Sequence, residues 1–277
     1  MFSYQHGFHA GGFADVHKHT ALCLLLGHLR RKDTPFCVID SHAGRGLYDL
    51  TGLQAQKTGE WRDGIGRLID TKPMSDGLVR YLEIVARIND RDGLQTYPGS
   101  PVIAADMLRP SDRLVLVEGH PSEHAALRKQ FRGDARVHVH KRDSFEALPA
   151  LVPPAERRGL VLIDPSYEIK SEYERIPGIM EAVLRRWANG MIAIWYPILP
   201  ELRHETLLLG MEALDRPMLV AELTGPDPER GLAGTGLIVI NPPWQFDTEL
   251  AAAGAEMATL LFGDAGRHTL SMSGVPA

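Results

Sequence analysis

Six short runs of consecutive, mostly β-branched apolar residues constrain this chain more than anything else in it. They are Phe36–Asp40, Leu114–Glu118, Val137–Val139, Leu160–Asp164, Met191–Tyr196 and Leu237–Asn241. Runs of this length with few polar interruptions suit strands covered on both faces. Helix-like stretches at Pro121–Phe131, Ser171–Trp187 and Glu201–Leu214 separate several of them, so the chain reads as repeated strand, helix, strand units. That pattern predicts an α/β fold, a sheet flanked by helices.

One interval breaks the rhythm. The first two strands end at Asp40 and Glu118, 78 residues apart, where a single crossover needs roughly 30. Residues 49–97 hold the helix-like stretches Trp61–Asp70 and Asp76–Asn89 and no evident strand. The expectation is a small helical subdomain inserted after the first strand, within a main domain of residues 1–48 and 98–277. Pro226–Gly236, with two prolines and three glycines, reads as a loop.

Composition narrows the class. With 44 % hydrophobic and 23 % charged residues in 277, the chain matches folded globular proteins and not disordered or fibrous ones. The longest apolar run, Ala21–Leu26, is far short of the roughly 20 residues a membrane span needs. Met1–His6 lacks the basic start and apolar stretch of a secretory signal, and Cys23 and Cys37 sit in apolar runs as buried thiols, so a cytoplasmic location is expected. Thirty Lys and Arg against 35 Asp and Glu give a net charge of −5, which disfavours a sequence-independent nucleic-acid binder. Any such contact must be local. Residues 1–48 carry five basic and three acidic residues with six of the twelve histidines, and residues 128–143 carry six basic and two acidic.

In an open α/β sheet, ligands lie beyond the carboxyl ends of the strands. The first strand ends in Asp40-Ser41-His42-Ala43-Gly44-Arg45-Gly46, a turn whose small residues let backbone approach a ligand, though it lacks the third glycine of the dinucleotide fingerprint. The second ends at Glu118, which can accept from ribose hydroxyls. The fourth ends in Asp164-Pro165-Ser166-Tyr167. This last motif resembles that of class I methyltransferases acting on exocyclic amino groups of adenine or cytosine, and the strand order agrees. Such an amino nitrogen has its lone pair delocalised into the ring. Asp164 and the Pro165 carbonyl can accept its two hydrogens and localise that pair, Pro165 fixes the local φ, and Tyr167 can stack on a base that is single-stranded or flipped out.

The N-terminal segment, Tyr4-Gln5-His6-Gly7-Phe8-His9-Ala10-Gly11 with Ala14-Asp15-Val16-His17-Lys18-His19, and Ser41-His42-Ala43-Gly44 resemble the RNA large-subunit methyltransferase J family. Tyr97-Pro98-Gly99-Ser100-Pro101, Arg157-Arg158-Gly159-Leu160 and Asn241-Pro242-Pro243-Trp244 extend the likeness along the chain. The resemblance implies a class I methyltransferase Rossmann-like fold. It also implies transfer from S-adenosylmethionine to adenine N6 in bacterial 23S ribosomal RNA, by a monomer acting on naked RNA. It assigns cofactor contacts to His19, His42, Ser100, Glu118, Asp143, Ser144 and Asp164, with Lys18 facing the methionine carboxylate. Asp164 becomes the catalytic residue, and Tyr4 and His6, with Pro165 and Tyr167, become substrate contacts. Two positions depart from the family pattern: Ser166 replaces a second proline, and Ser144 stands where glycine is frequent.

Three alternatives remain open. The same residues could methylate DNA adenine or serve a protein involved in use of external DNA. The motif also admits a small-molecule acceptor. A metal held by His17, His19 and His42 is the third, but residues 17 and 19 diverge by about 200° on a helix, so no metal is expected.

Overall fold

The computed structural model describes residues 5–89, 93–226 and 231–274. Helix α1 (Phe13–Arg30) leads into β1 (Cys37–Asp40). The insertion follows as β2 (Leu47–Asp49), α2 (Leu53–Thr58), α3 (Glu60–Asp63), α4 (Ile65–Leu68), α5 (Asp76–Asn89) and β3 (Thr96–Pro98). The chain then alternates through α6 (Ser100–Met107), β4 (Arg113–Val117), α7 (Pro121–Gln130), β5 (Val137–His140), α8 (Ser144–Leu151) and β6 (Gly159–Ile163). It continues with α9 (Glu172–Arg186), β7 (Met191–Ile198), α10 (His204–Glu212), β8 (Met218–Thr224), β9 (Gly234–Ile240), α11 (Phe246–Phe262) and β10 (Arg267–Ser273).

Eight strands form one sheet in the order β10-β8-β9-β7-β6-β1-β4-β5. Strands β7, β6, β1, β4 and β5 run parallel, while β9, β8 and β10 add antiparallel pairings. All six apolar runs are strands of this sheet, and every residue of β1, β6 and β9 is buried, as two covered faces require. The sheet order reverses at β1: the chain passes to β4 on one side, then returns to β6 on the other. Ligand sites in such sheets lie at this reversal.

The insertion differs from the expectation in two respects. A short antiparallel ribbon, β2 with β3, brackets it, and Trp61–Asp70 is two short helices broken at Gly64. Its helices also share a core with α1 and the sheet. As a result α1 is covered nearly all round, and fourteen of its eighteen residues are buried. A helix enclosed in this way loses the single apolar stripe that marks surface helices. Strand β10 carries no continuous apolar run either and is a largely exposed edge, while β8 opens on Met218-Leu219-Val220-Ala221, an apolar run the sequence reading passed over. Of the loop expected at Pro226–Gly236, residues 227–230 lie outside the described residues, and β9 already begins at Gly234.

The break at Gly64 joins the insertion to the N-terminal arm. Ile65 N donates to Gly11 O at 2.8 Å, and a Cβ on Gly64 would stand 2.1 Å from that same oxygen. Gly64→Ala should therefore cost about 1–3 kcal/mol through forced backbone movement, seen as a fall of several degrees in Tm. An unchanged Tm would contradict this joint.

Candidate active site

The turn after β1 spans three strand ends. Ser41 N and Oγ donate to Leu162 O at 3.0 and 2.9 Å, and Ala43 N donates to Val117 O at 3.1 Å. Gly44 and Gly46 take φ of 61° and 87°, values that favour glycine, and a Cβ on Gly44 would collide with the Tyr48 hydroxyl. Glu118 accepts from Gly44 N at 2.8 Å and from His120 N at 2.6 Å. Burial nevertheless raises its pKa.

Beside this turn lies a chain of buried charges. Lys18 Nζ is 2.8 Å from Asp15 Oδ1 and 2.5 Å from Asp164 Oδ2, with Lys18 4 % exposed and Asp164 14 %. Asp15 Oδ2 in turn accepts from Gly11 N and pairs with His6 Nε2, both at 2.9 Å. Burial opposes every charge here, yet the two carboxylates push the Lys18 ammonium up, and His6 and Lys18 hold Asp15 well below its usual range. Asp164 Oδ1 has no protein partner among the described residues. It stands beside a Pro165 carbonyl that accepts no backbone hydrogen bond. Lys18 Nζ thus meets two protein carboxylates.

The remaining expected residues divide into two groups. Around the turn, His42 Nδ1 meets Ser41 Oγ at 2.8 Å and its ring packs edge-on to Phe145. Asp143 caps α8, its Oδ1 accepting from Phe145 N and Glu146 N at 2.9 and 3.0 Å, which leaves Oδ2 without a protein partner among the described residues. Ser144 takes an ordinary φ as the first residue of α8, and its hydroxyl donates to Ser41 O. A side chain in place of the frequent glycine therefore costs the backbone no strain at that position. Deeper in, His19 Nδ1 meets Tyr97 Oη at 2.7 Å within a Tyr97–Tyr81 hydroxyl pair. Burial lowers His19 to about 3 and His42 to about 4, so both are neutral at physiological pH. Tyr167 has φ 54°, donates to Trp195 O at 2.6 Å and stacks 4.3 Å from Tyr173. Its ring is 6 % exposed, which leaves little of its face for a base. Tyr4 lies outside the described residues.

The histidines of the metal alternative do not converge. His17 faces His268, His19 faces Tyr97 and His42 faces Ser41, and no group of three metal-ligating side chains occurs among the described residues. The sequence reading missed Asp40, Asp15 and Trp195. Asp40 was visible only as the end of a strand, yet its Oδ2 accepts from Ser100 Oγ at 2.7 Å, a position where Ser100 reaches the site through a carboxylate.

Burial first, then the neighbouring Asp164 charge, raises Asp40 to about 7 against the partial relief of its hydrogen bonds. A carboxyl whose folded pKa is raised stabilises the fold below its unfolded value, and that contribution disappears as pH climbs through the folded one. Between about pH 4 and 7 the wild type should therefore lose stability relative to Asp40→Asn, by at most on the order of 4 kcal/mol. Urea unfolding across this range measures it, and parallel curves for the two proteins would contradict the assignment.

Comparisons with known proteins follow the same lines. The family model described as ribosomal RNA large subunit methyltransferase D, RlmJ, matches residues 33–273. Ribosomal RNA large subunit methyltransferase J of Haemophilus influenzae is 42 % identical over 254 residues, 90 % of each chain. Its namesake in Escherichia coli is 42 % identical over 253 residues, again 90 % of each. A crystal structure of a Legionella pneumophila protein superimposes with a TM-score of 0.90 at 35 % identity, covering 96 % of this chain and 98 % of that one. The chain belongs to the RlmJ family of methyltransferases.

Proposed function

We propose that this protein transfers the methyl group of S-adenosylmethionine to the N6 amino group of an adenine in 23S ribosomal RNA, working as a cytoplasmic, metal-free monomer. The observation that carries the reading is Asp164, fixed through one oxygen by Lys18 and free through the other, beside the Pro165 carbonyl at the point of strand reversal. The relatives' names supply the substrate class.

The residues present fit this cofactor. Glu118 stands where ribose hydroxyls would be accepted, the free Oδ2 of Asp143 suits an adenine amino hydrogen, and the glycines at 44 and 46 would let the turn's backbone approach the methionine portion. His42 and Phe145 would wall the adenine side, while Ser100 and His19 shape the pocket through Asp40 and Tyr97. When bound, S-adenosylmethionine supplies the electrophilic methyl group.

The chain's own residues prepare the acceptor. Asp164 Oδ1 and the Pro165 carbonyl accept the two N6 hydrogens and draw the nitrogen toward a pyramidal shape whose lone pair faces the methyl group. Lys18 holds Asp164 aimed without contacting the base. His6 holds the N-terminal arm, which carries Tyr4, against Asp15, where the arm would meet RNA. Tyr167 and Trp195 would border the extruded base. The base must leave its stack to reach this depth.

Labelled S-adenosylmethionine should methylate unmodified large-subunit ribosomal RNA, giving N6-methyladenine, with duplex DNA in parallel staying unlabelled. Asp164→Ala should lower transfer at least about 100-fold and change cofactor affinity only a few-fold. Label in DNA alone, no label in either nucleic acid, or normal turnover by Asp164→Ala would overturn the reading.

A further inference from the structure

A chain with a net charge of −5 repels a polyanion unless some part of its surface is locally positive. Most cations near the active site are already neutralised. Arg45 is paired with Glu123, Arg136 with Asp134 and Lys18 with two carboxylates. Arg128, Lys129, Arg132, Lys141 and Arg142 are different. All five are exposed, and none joins an ion pair or side-chain hydrogen bond among the described residues.

Topology gathers them. Arg128 and Lys129 end α7, Arg132 lies in the turn that follows, and Lys141 and Arg142 follow β5. The ring of His124 on α7 feels Arg128 and Lys141 together, which with burial lowers its pKa. His140 is lowered by burial, then by His138 and Arg142. Helix α7 packs against β5, so the two segments carry these five cations along one edge of the sheet. Of the nearby carboxylates, Glu123 and Asp134 are engaged in the pairs above, while Asp143, which caps α8 through one oxygen, and Glu146 are exposed, so the five cations remain in excess.

The face is also well placed. Strand β5 is the outer edge of the sheet, three strands from β6. With strands about 4.8 Å apart, its carboxyl end lies about 15 Å from that of β6. That separation is a few nucleotides of chain from a base held at Asp164. Lys141 and Arg142 lead directly into Asp143 at the rim of the site.

We propose that the α7–β5 edge is a docking surface for the phosphates that flank the target nucleotide in the RNA substrate. The proposal rests on the functional reading above. Lysines and arginines on a sheet edge also guard against aggregation, but that role alone leaves RNA binding unaffected.

The test measures binding of unmodified large-subunit ribosomal RNA over a range of salt concentrations, together with KM and kcat for its methylation. Arg128→Gln/Lys141→Gln/Arg142→Gln should flatten the slope of log affinity against log salt by about 2–3. It should raise KM for RNA at least about tenfold, with kcat and S-adenosylmethionine affinity unchanged. Arg128→Lys/Arg142→Lys should behave as wild type. Lys32→Gln/Lys72→Gln/Arg216→Gln removes equal charge from other exposed positions and should keep the wild-type slope. An unchanged slope in the first variant, or equal flattening in the last, overturns the docking surface while RNA methylation by the wild type still upholds the functional reading. Absence of RNA methylation by the wild type overturns both.

Discussion

The site depends on one buried ammonium. Lys18 leaves water almost completely, and its charge is balanced by Asp15 one helical turn away and by Asp164, 146 residues along the chain. Such pairs are poor sources of stability, because desolvation offsets much of the attraction, yet loss of one partner commonly costs about 3–5 kcal/mol. The arrangement is better understood as positioning. It ties α1 to the end of β6 and fixes one oxygen of Asp164 while leaving the other open to a hydrogen-bond donor.

Asp15 extends the same constraint to the N-terminal arm. Its second oxygen holds Gly11 N and His6, so arm, helix and the end of β6 meet through one lysine and one carboxylate. Such a charge chain survives only away from bulk water. The 49–97 insertion supplies that enclosure by laying α5 along α1 and anchoring Gly11 through Ile65. The long gap between the first two strands is thus part of the site's construction, since it turns α1 from a surface helix into a central one.

What the sequence disclosed follows from which forces act locally. Strands buried on both faces must be apolar throughout, so β1, β4, β6 and β9 were legible as runs, and the polar residues that end the runs of the parallel strands β1, β4 and β6 marked the mouth of the site. Helix α1 was not, because enclosure by the insertion removes its amphipathic stripe. Edge strand β10 was not, because half its residues face solvent. Asp164 and Glu118 were found by their place at strand ends. Resemblance supplied Lys18, but its partners could not be read, since the contact with Asp164 spans more than half the chain. Tyr167 illustrates the opposite limit: the motif suggested an open stacking ring, and tertiary packing against Tyr173 and Trp195 covers most of it.

Single-turnover methyl transfer to unmodified large-subunit ribosomal RNA by Lys18→Met, with folding checked by circular dichroism, tests the central claim most directly. If Lys18 holds Asp164 in its working position, the folded variant transfers methyl about 100-fold more slowly while binding S-adenosylmethionine within a few-fold of the wild type. A wild-type rate in the folded variant would contradict the account.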